Sequence, residues 1–460
     1  MNAKNSSESR DRIIEKLGGI VEKNDRIDPE LYKKYNVKRG LRDLDGTGVV
    51  VGLTEIGDVR AYIFDEDEKV PTEGRLFYRG LEINDIVHGF QAEKRFGFEE
   101  CCYLLLFGEL PDKARLEEFQ GLLGELRGLP YGFTEDMILK APSTDIMNKL
   151  ARSVLASYSY DSNPDDLSLK NTLRQCIELI ARFPTMIAYG YQAKSHYHDE
   201  KSLFIHNPQK HLGTAENILY LIRPDSAYTA SEAELLDLAL VLHAEHGGGN
   251  NSTFVAHVVT STGTDTYSSI AAAIGSLKGP QHGGANIKVM GMMEEIKNNV
   301  ADWDDEDEVA GYLAKIIRKE AFDRSGLIYG IGHAVYTVSD PRTILLKQKA
   351  EKLAEEKGLE KEYRLYTNVE KLAPGVFFRE KNNDKVMCAN VDFYSGFVYK
   401  SLNIPMELFT PIFATGRIAG WCAHRIEELV NGGRIIRPAY RSVIGRKVYQ
   451  PLNEREIETT

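Results

Sequence analysis

With 460 residues, 42% of them hydrophobic and 27% charged, the chain has the composition of a globular protein and the length for two domains, or for one large core with an appendage. Its formal net charge of −11 excludes a general grip on nucleic acid, so any anion it binds must be met by arginines gathered locally. No apolar run approaches the ~20 residues of a membrane span, and the opening MNAKNSSESRDRIIEKL has no apolar secretion core and carries the acids Glu8 and Asp11 that a mitochondrial presequence avoids. The expectation is a cytoplasmic protein with no membrane partner. Cys101, Cys102, Cys176, Cys388 and Cys422 are odd in number and match no zinc spacing, which reads as reduced thiols.

In chain order, residues 1 to about 45 are charged and irregular, with an amphipathic stretch from Arg12 to Val21 and a short helix near Pro29 to Tyr35. From Gly48 to Gly80, β-branched and aromatic runs cut by Gly, Asp and Pro predict short strands joined by turns. Everything after that reads as helix. FEECCYLLLF is a buried helix, GELP a turn, and an amphipathic helix starts near Asp112. DIMNKLARSVLASYS and NTLRQCIELIARFPTMIAYGYQAKS follow, the second broken or kinked at Pro184. A polar loop from His196 to Lys210 precedes ELLDLALVLHAEH, a buried helix ending where glycines begin. SIAAAIGSL, rich in small residues, predicts close helix contact. Residues 285 to about 380 are more charged and carry four amphipathic segments, which suggests a smaller helical domain inserted into a larger one. No repeat of fixed period is present, which disfavours a solenoid.

The chemistry-bearing residues gather late in the chain. Five of the eleven histidines fall between positions 243 and 333. His246 precedes Gly247-Gly248-Gly249, and His282 lies between Gly279-Pro280 and Gly283-Gly284, so each has backbone clearance for a ligand. Against this stands the ordinary fate of a histidine in a helical protein, a satisfied core or cap residue. His243 and His246 also allow a metal reading, but no matching downstream pair or carboxylate set accompanies them. In GIGHAVYTVSDPR, a third glycine-framed histidine, His333, is followed by Asp340-Pro341 opening a helix with Arg342 in its first turn. A cation there opposes the helix dipole, which points to an anionic ligand or to pairing with a carboxylate.

Asp392 in NVDFYSGF sits in apolar company. If that stretch is helical, its neighbours at three and four residues are Cys388, Ala389, Ser395 and Gly396, all small, with no cation among them. A carboxylate so desolvated gains proton affinity and suits a general base, the competing role being a cap on some other helix. Arg417 lies in an otherwise apolar helix beside Gly416 and near Gly420, where a buried guanidinium calls for an anionic partner. With Arg342 and Arg437 it offers planar forks for a dicarboxylate.

HGGGNNSTF, GPQHGGAN, GIGHAVYTVSDPR, NVDFYSG and RPAYRS occur in that order, with RLFYRGLEINDI and FEECCYLLLFGELP upstream. Together, from about Gly48 to Arg446, they resemble the citrate synthase family. The resemblance implies an all-α fold of two domains with a small N-terminal β-region, closing over the substrates. It divides the chain into an N-terminal extension over 1–45, a large helical domain over 46–283 plus 394–460, and a small one over 284–393, with His282 at the hinge. It implies a homodimer that condenses acetyl-CoA with oxaloacetate and water. By the same resemblance Asp392 would take a methyl proton, His282 would hydrogen-bond the thioester oxygen, and His333 would hydrogen-bond the ketone. His246, Arg342 and Arg417 resemble the residues that hold oxaloacetate or citrate, and Arg437 resembles the arginine that enters from the partner subunit. No metal or redox cofactor is expected, the thioester being a substrate. One departure is that Tyr336-Thr337-Val338 holds no basic residue for a CoA phosphate, where many relatives place one. A 2-methylcitrate synthase using propionyl-CoA, a non-catalytic helical scaffold or sensor, and a metal-dependent lyase are the competing readings.

Overall fold

The computed structural model describes residues 2–43, 46–65, 68–333, 335–382 and 386–455. They fall into two compact units divided between Leu53 and Thr54. The first holds α1 (Asn2–Asn24) and α2 (Pro29–Lys34), the latter capped by Asp28, whose carboxylate accepts from Glu30 N. The stretch expected to be irregular is therefore mostly one helix. The amphipathic turn at Arg12 extends in both directions because no proline interrupts it.

The second unit opens with a three-stranded antiparallel sheet, β1 (Gly57–Asp65), β2 (Glu68–Tyr78) and β3 (Leu81–Glu82), whose register shifts between Arg60 and Tyr62. Among the described residues fifteen α-helices follow: α3 (Ile83–Ala92), α4 (Phe98–Phe107), α5 (Lys113–Leu126), α6 (Ile146–Ser157), α7 (Leu169–Asp199), α8 (Thr214–Ile222), α9 (Ala230–His243), α10 (Asn251–Thr260), α11 (Thr266–Lys278), α12 (Ala285–Asn299), α13 (Glu306–Ile317), α14 (Pro341–Lys357), α15 (Glu360–Lys381), α16 (Val391–Ser401) and α17 (Phe409–Val430). The fold is thus all-α with a small β-region near its start. Side-chain caps set many of the starts: Asp112 for α5, Asp145 for α6, Asp265 for α11, Asp340 for α14, and Thr229 with Glu232 in a capping box for α9.

Two expectations need correcting. Of the expected break or kink at Pro184, the break is absent: α7 runs for 31 residues through it, because its side chains are buried along nearly the whole length and that packing outweighs a local proline cost of about 3 kcal/mol. The same helix takes in His196 and His198, which were expected in a loop. α17 is the central column. Every residue from Phe409 to Arg425 is buried, and it packs against α4, α7, α9, α10 and α11. α12 to α16 pack largely on one another, α13 on α15 and α14 on α16, while α14 also reaches α3 and α9. Among the described residues no helix is long and apolar enough to cross a membrane.

Candidate active site

The end of α9 and the middle of α17 make the floor. Gly416 and Gly420 lie one turn apart on α17. A Cβ on Gly416 would stand 2.8 Å from Leu240 O, and one on Gly420 would stand 2.5 Å from Ala244 O, so only glycine lets the two backbones touch. Arg417, between them, is thereby pressed against the end of α9, where its Nε donates to His243 O at 2.6 Å. The rest of its fork is unmatched. Nη1 and Nη2 are buried with no hydrogen-bond partner, and the residue is 0% exposed. Burial lowers its proton affinity to about 10. Buried donors in a native protein are nearly always satisfied, so two orphans on one cation mark a place for an anion. His243 is held by Tyr399 OH at 3.0 Å. His246, one turn on, is buried, its Nε2 has no partner, and burial, then Arg342, drives its pKa well down. It is a neutral imidazole.

A second wall comes from two loops zipped together. Gly332 N donates to Cys388 O, Asn390 N to Gly330 O, and Asn390 Nδ2 to Gly332 O, at 2.7, 2.9 and 2.8 Å. Gly330 takes φ +80°, and a Cβ there would stand 2.8 Å from the Phe393 ring, so the His333 loop lies directly on the first turn of α16. Asn390 then caps α16 by accepting from Asp392 N. This moves the expected helix start: Cys388 and Ala389 precede α16, and Asp392 occupies its first turn instead of its middle. The reason is the cap, whose side chain satisfies an N–H that helix before it would otherwise have used. Asp392 Oδ1 is buried without a partner, and burial, opposed by Arg342, raises its pKa to about 6. The expected rise in proton affinity has its expected cause.

His333 points its ring at His246, centroids 5.2 Å apart, and stacks on the buried Tyr336 at 4.9 Å. Its Nδ1 accepts from the N–H groups of Val335 and Tyr336 at 3.0 and 3.1 Å, which places the ring proton on Nε2. Of the two partners expected for Arg342, an anionic ligand or a carboxylate, the carboxylate is present within the chain. Asp340, the cap of α14, takes Nε and Nη2 in a two-point pair at 3.0 and 2.7 Å, and its side chain is 0% exposed. The cation in the first turn is explained by its own cap.

His282 lies before α12. Ser252 N donates to its Nε2 at 3.4 Å, and Ser252 Oγ lies 3.1 Å from the same atom while accepting from Trp421 Nε1. An Nε2 that accepts leaves the proton on Nδ1. Burial, then Arg417, lowers the His282 pKa to about 4, so this ring too is neutral near pH 7.

His246, His333, Arg342, Arg417, Asp392 and His282 thus share one electrostatic neighbourhood. Arg437 does not join it: it is exposed on the extended segment after α17. Reading the sequence missed Asp340, Ser252, Trp421 and Tyr336. Ser252 and Trp421 lie 30 and 139 positions from His282, so no local spacing could have linked them. Asp340 was visible as a cap but not as a counter-charge. Among the described residues no group of three or more His, Cys, Asp or Glu side chains is arranged to hold a metal ion.

Neutral imidazole donors beside an orphan carboxylate and an unpaired guanidinium make a site for drawing a proton from carbon next to a bound anion. The family model described as citrate synthase, C-terminal domain, matches residues 43–439. The citrate synthase of Synechocystis sp. is 34% identical over 84% of this chain and 89% of its own, and the 2-methylcitrate synthase of Shewanella oneidensis is 35% identical over 82% and 92%. The crystal structure of citrate synthase from Thermotoga maritima superposes with a TM-score of 0.71 at 30% identity, covering 91% of this chain and 99% of its own. That of the Thermoplasma acidophilum enzyme, described as a ternary complex with carboxymethyl coenzyme A and oxaloacetate, gives 0.72 at 26% identity with the same coverage. The chain belongs to the citrate synthase family and is an enzyme.

Proposed function

We propose that the enzyme condenses acetyl-CoA with oxaloacetate and water to give citrate and CoA. The observation that carries this reading is the pairing of Arg417, a buried cation with two free donors, with Asp392, a buried carboxylate oxygen with none. Arg417, Arg342 and His246 hold the dicarboxylate. Asp392 takes a proton from the thioester methyl, and the neutral His282 donates from Nδ1 to the thioester oxygen as the enol forms. His333 donates from Nε2 to the oxaloacetate ketone as the new carbon–carbon bond forms. Hydrolysis of the citryl thioester then releases CoA. These steps call for no metal or redox cofactor. Residues 284–393 act as the smaller domain that closes to keep water from the enol.

The reading extends to a homodimer in a cytoplasm, with a place in the tricarboxylic acid cycle. Its support is the C-terminal segment, where Tyr440, Ile444, Val448, Tyr449 and Leu452 are 69–96% exposed in the single chain and suit burial by a second copy. Arg437 on that segment then reaches the partner's site. Mixing Asp392→Asn chains with Arg437→Ala chains tests this: activity returns if each site draws on both chains, and stays absent if it does not.

A relative named citrate synthase and one named 2-methylcitrate synthase are similar to this chain to almost the same degree, 34% and 35% identical, and one methylene in a pocket discriminates by only about 1–3 kcal/mol. Thiol release with oxaloacetate and a short series of acyl-CoAs decides. The expected result is the highest kcat/KM with acetyl-CoA. A higher value with propionyl-CoA overturns the choice of acyl group, and no thiol release with any of them overturns the reaction.

A further inference from the structure

Under the His246 loop runs a chain of four side chains that the reaction above does not use. Glu245, the residue before His246, is 0% exposed. Its Oε1 accepts from Gly247 N, closing the turn that carries His246, and also faces His424 Nε2 at 3.1 Å. The other nitrogen of His424 faces His257 Nε2 at 3.1 Å, and His257 Nδ1 faces Glu428 Oε2 at 2.9 Å. His424 is 0% exposed, whereas the Glu428 side chain is 17% exposed, so the chain leads from beneath the site to the rim.

The three contacts between these four groups each need one hydrogen. Ionised carboxylates supply none and two neutral imidazoles supply one each. The chain is complete only with one more proton, carried between the two rings and their flanking carboxylates. The other charged groups facing it are Glu427, whose Oε2 lies 3.8 Å from His424 Nδ1, together with Arg417 and Arg79, which act on Glu245 and its surroundings. Glu245 also acts on Arg417, helping to keep that guanidinium charged.

We propose that Glu245 is a positioning residue for His246 and Arg417, held in place by a hydrogen-bonded chain through His424 and His257 to Glu428 that stores one proton. The proposal rests on reading His246 and Arg417 as oxaloacetate ligands. Glu245 fixes the turn from below, and the chain gives this buried carboxylate a donor. When the stored proton leaves, one of the three bonds breaks and the turn loosens, so oxaloacetate affinity falls as pH rises while the chemical step is spared.

Two variants at the outer end test this. His257→Leu removes the middle of the chain. It is expected to raise the KM for oxaloacetate about tenfold, the cost of a hydrogen bond to a charged group, with kcat and the KM for acetyl-CoA within about twofold. Glu428→Gln supplies its own N–H to His257, so the chain closes without the extra proton. Calorimetric oxaloacetate binding is expected to weaken in the wild type as pH rises through the range below 6.5, where His257, its pKa lowered by burial and by His424, loses its proton, and to be flat in Glu428→Gln, which also shows one fewer downfield imidazole N–H signal by proton NMR at the acid end. Identical pH profiles and signal counts in the two proteins, or wild-type oxaloacetate binding by a folded His257→Leu, overturn the proposal. A wild type that shows the expected signals but binds no oxaloacetate overturns the reading of the site instead.

Discussion

Arg342 and Arg417 approach one site from α14 and α17, and their surroundings are opposites. Arg342 is locked to Asp340 by two bonds, and both are buried. Arg417 has one bond, to a backbone carbonyl, and two buried donors with nothing to bind. Arg342 meets the site with its charge already balanced by Asp340, whereas Arg417 meets it with two donors still open. A buried pair adds little net stability but is costly to split, whereas a buried charge with open donors, offset within the fold by the nearby Glu245, is a cost that binding relieves further. Burial alone therefore does not tell how far an arginine is committed within the fold. The count of satisfied donors does.

The largest expected effect comes from splitting the pair. Arg342→Leu strands Asp340 and is expected to cost about 3–5 kcal/mol of stability by chemical denaturation, and Asp340→Asn introduced alongside it should recover most of that loss. Next is Asp392, on which both arginines act: Asp392→Asn is expected to lower kcat about 10³-fold with an unchanged melting temperature. Arg417→Leu should then separate the two arginines cleanly. It is expected to leave stability equal or higher and to weaken oxaloacetate binding about 100-fold by calorimetry. A stability loss like that of Arg342→Leu would erase the contrast.

The pH profile sharpens the same contrast. With the Asp392 pKa raised to about 6, the proposed base is ionised above that pH and protonated below it, so kcat/KM should fall about tenfold per unit as pH drops under 6. Arg417 opposes that rise, so Arg417→Leu should move the limb to higher pH. His282, lowered to about 4, contributes no limb near neutrality. The smallest effect is expected at Ser252→Ala, which loses the hydroxyl between His282 and Trp421 but keeps the Ser252 N–H. A kcat loss of about threefold to tenfold in steady-state assays fits the loss of the one hydroxyl contact that reaches His282.

Much of the architecture was legible in local patterns. Asp112 and Asp145 announce helix starts, the glycines after His246 announce an end, and the turn-cut run after Gly48 announces the sheet. Local pattern failed where a residue's fate depended on distant packing. Pro184 looks like a break until the burial along α7 is seen, and residues before Arg12 look irregular until the helix around them is. Asp392 was recognisable from its apolar company, but its place in the helix was set by Asn390, which bonds back to Gly332 at the same time.

The sequence by itself determined which residue types are available at the site, because glycine clearance, proline and capping chemistry act over a few residues. It placed His246, His282, His333 and Asp392 in backbone that lets a ligand approach. Only the tertiary structure decided their protonation and their partners. Burial sets the proton affinities of Asp392 and His282, backbone N–H groups choose the His333 tautomer, and two glycines on α17 bring Arg417 to the end of α9. Electrostatics at a buried site depends on every charge and donor within a few ångströms, and most of those come from other parts of the chain.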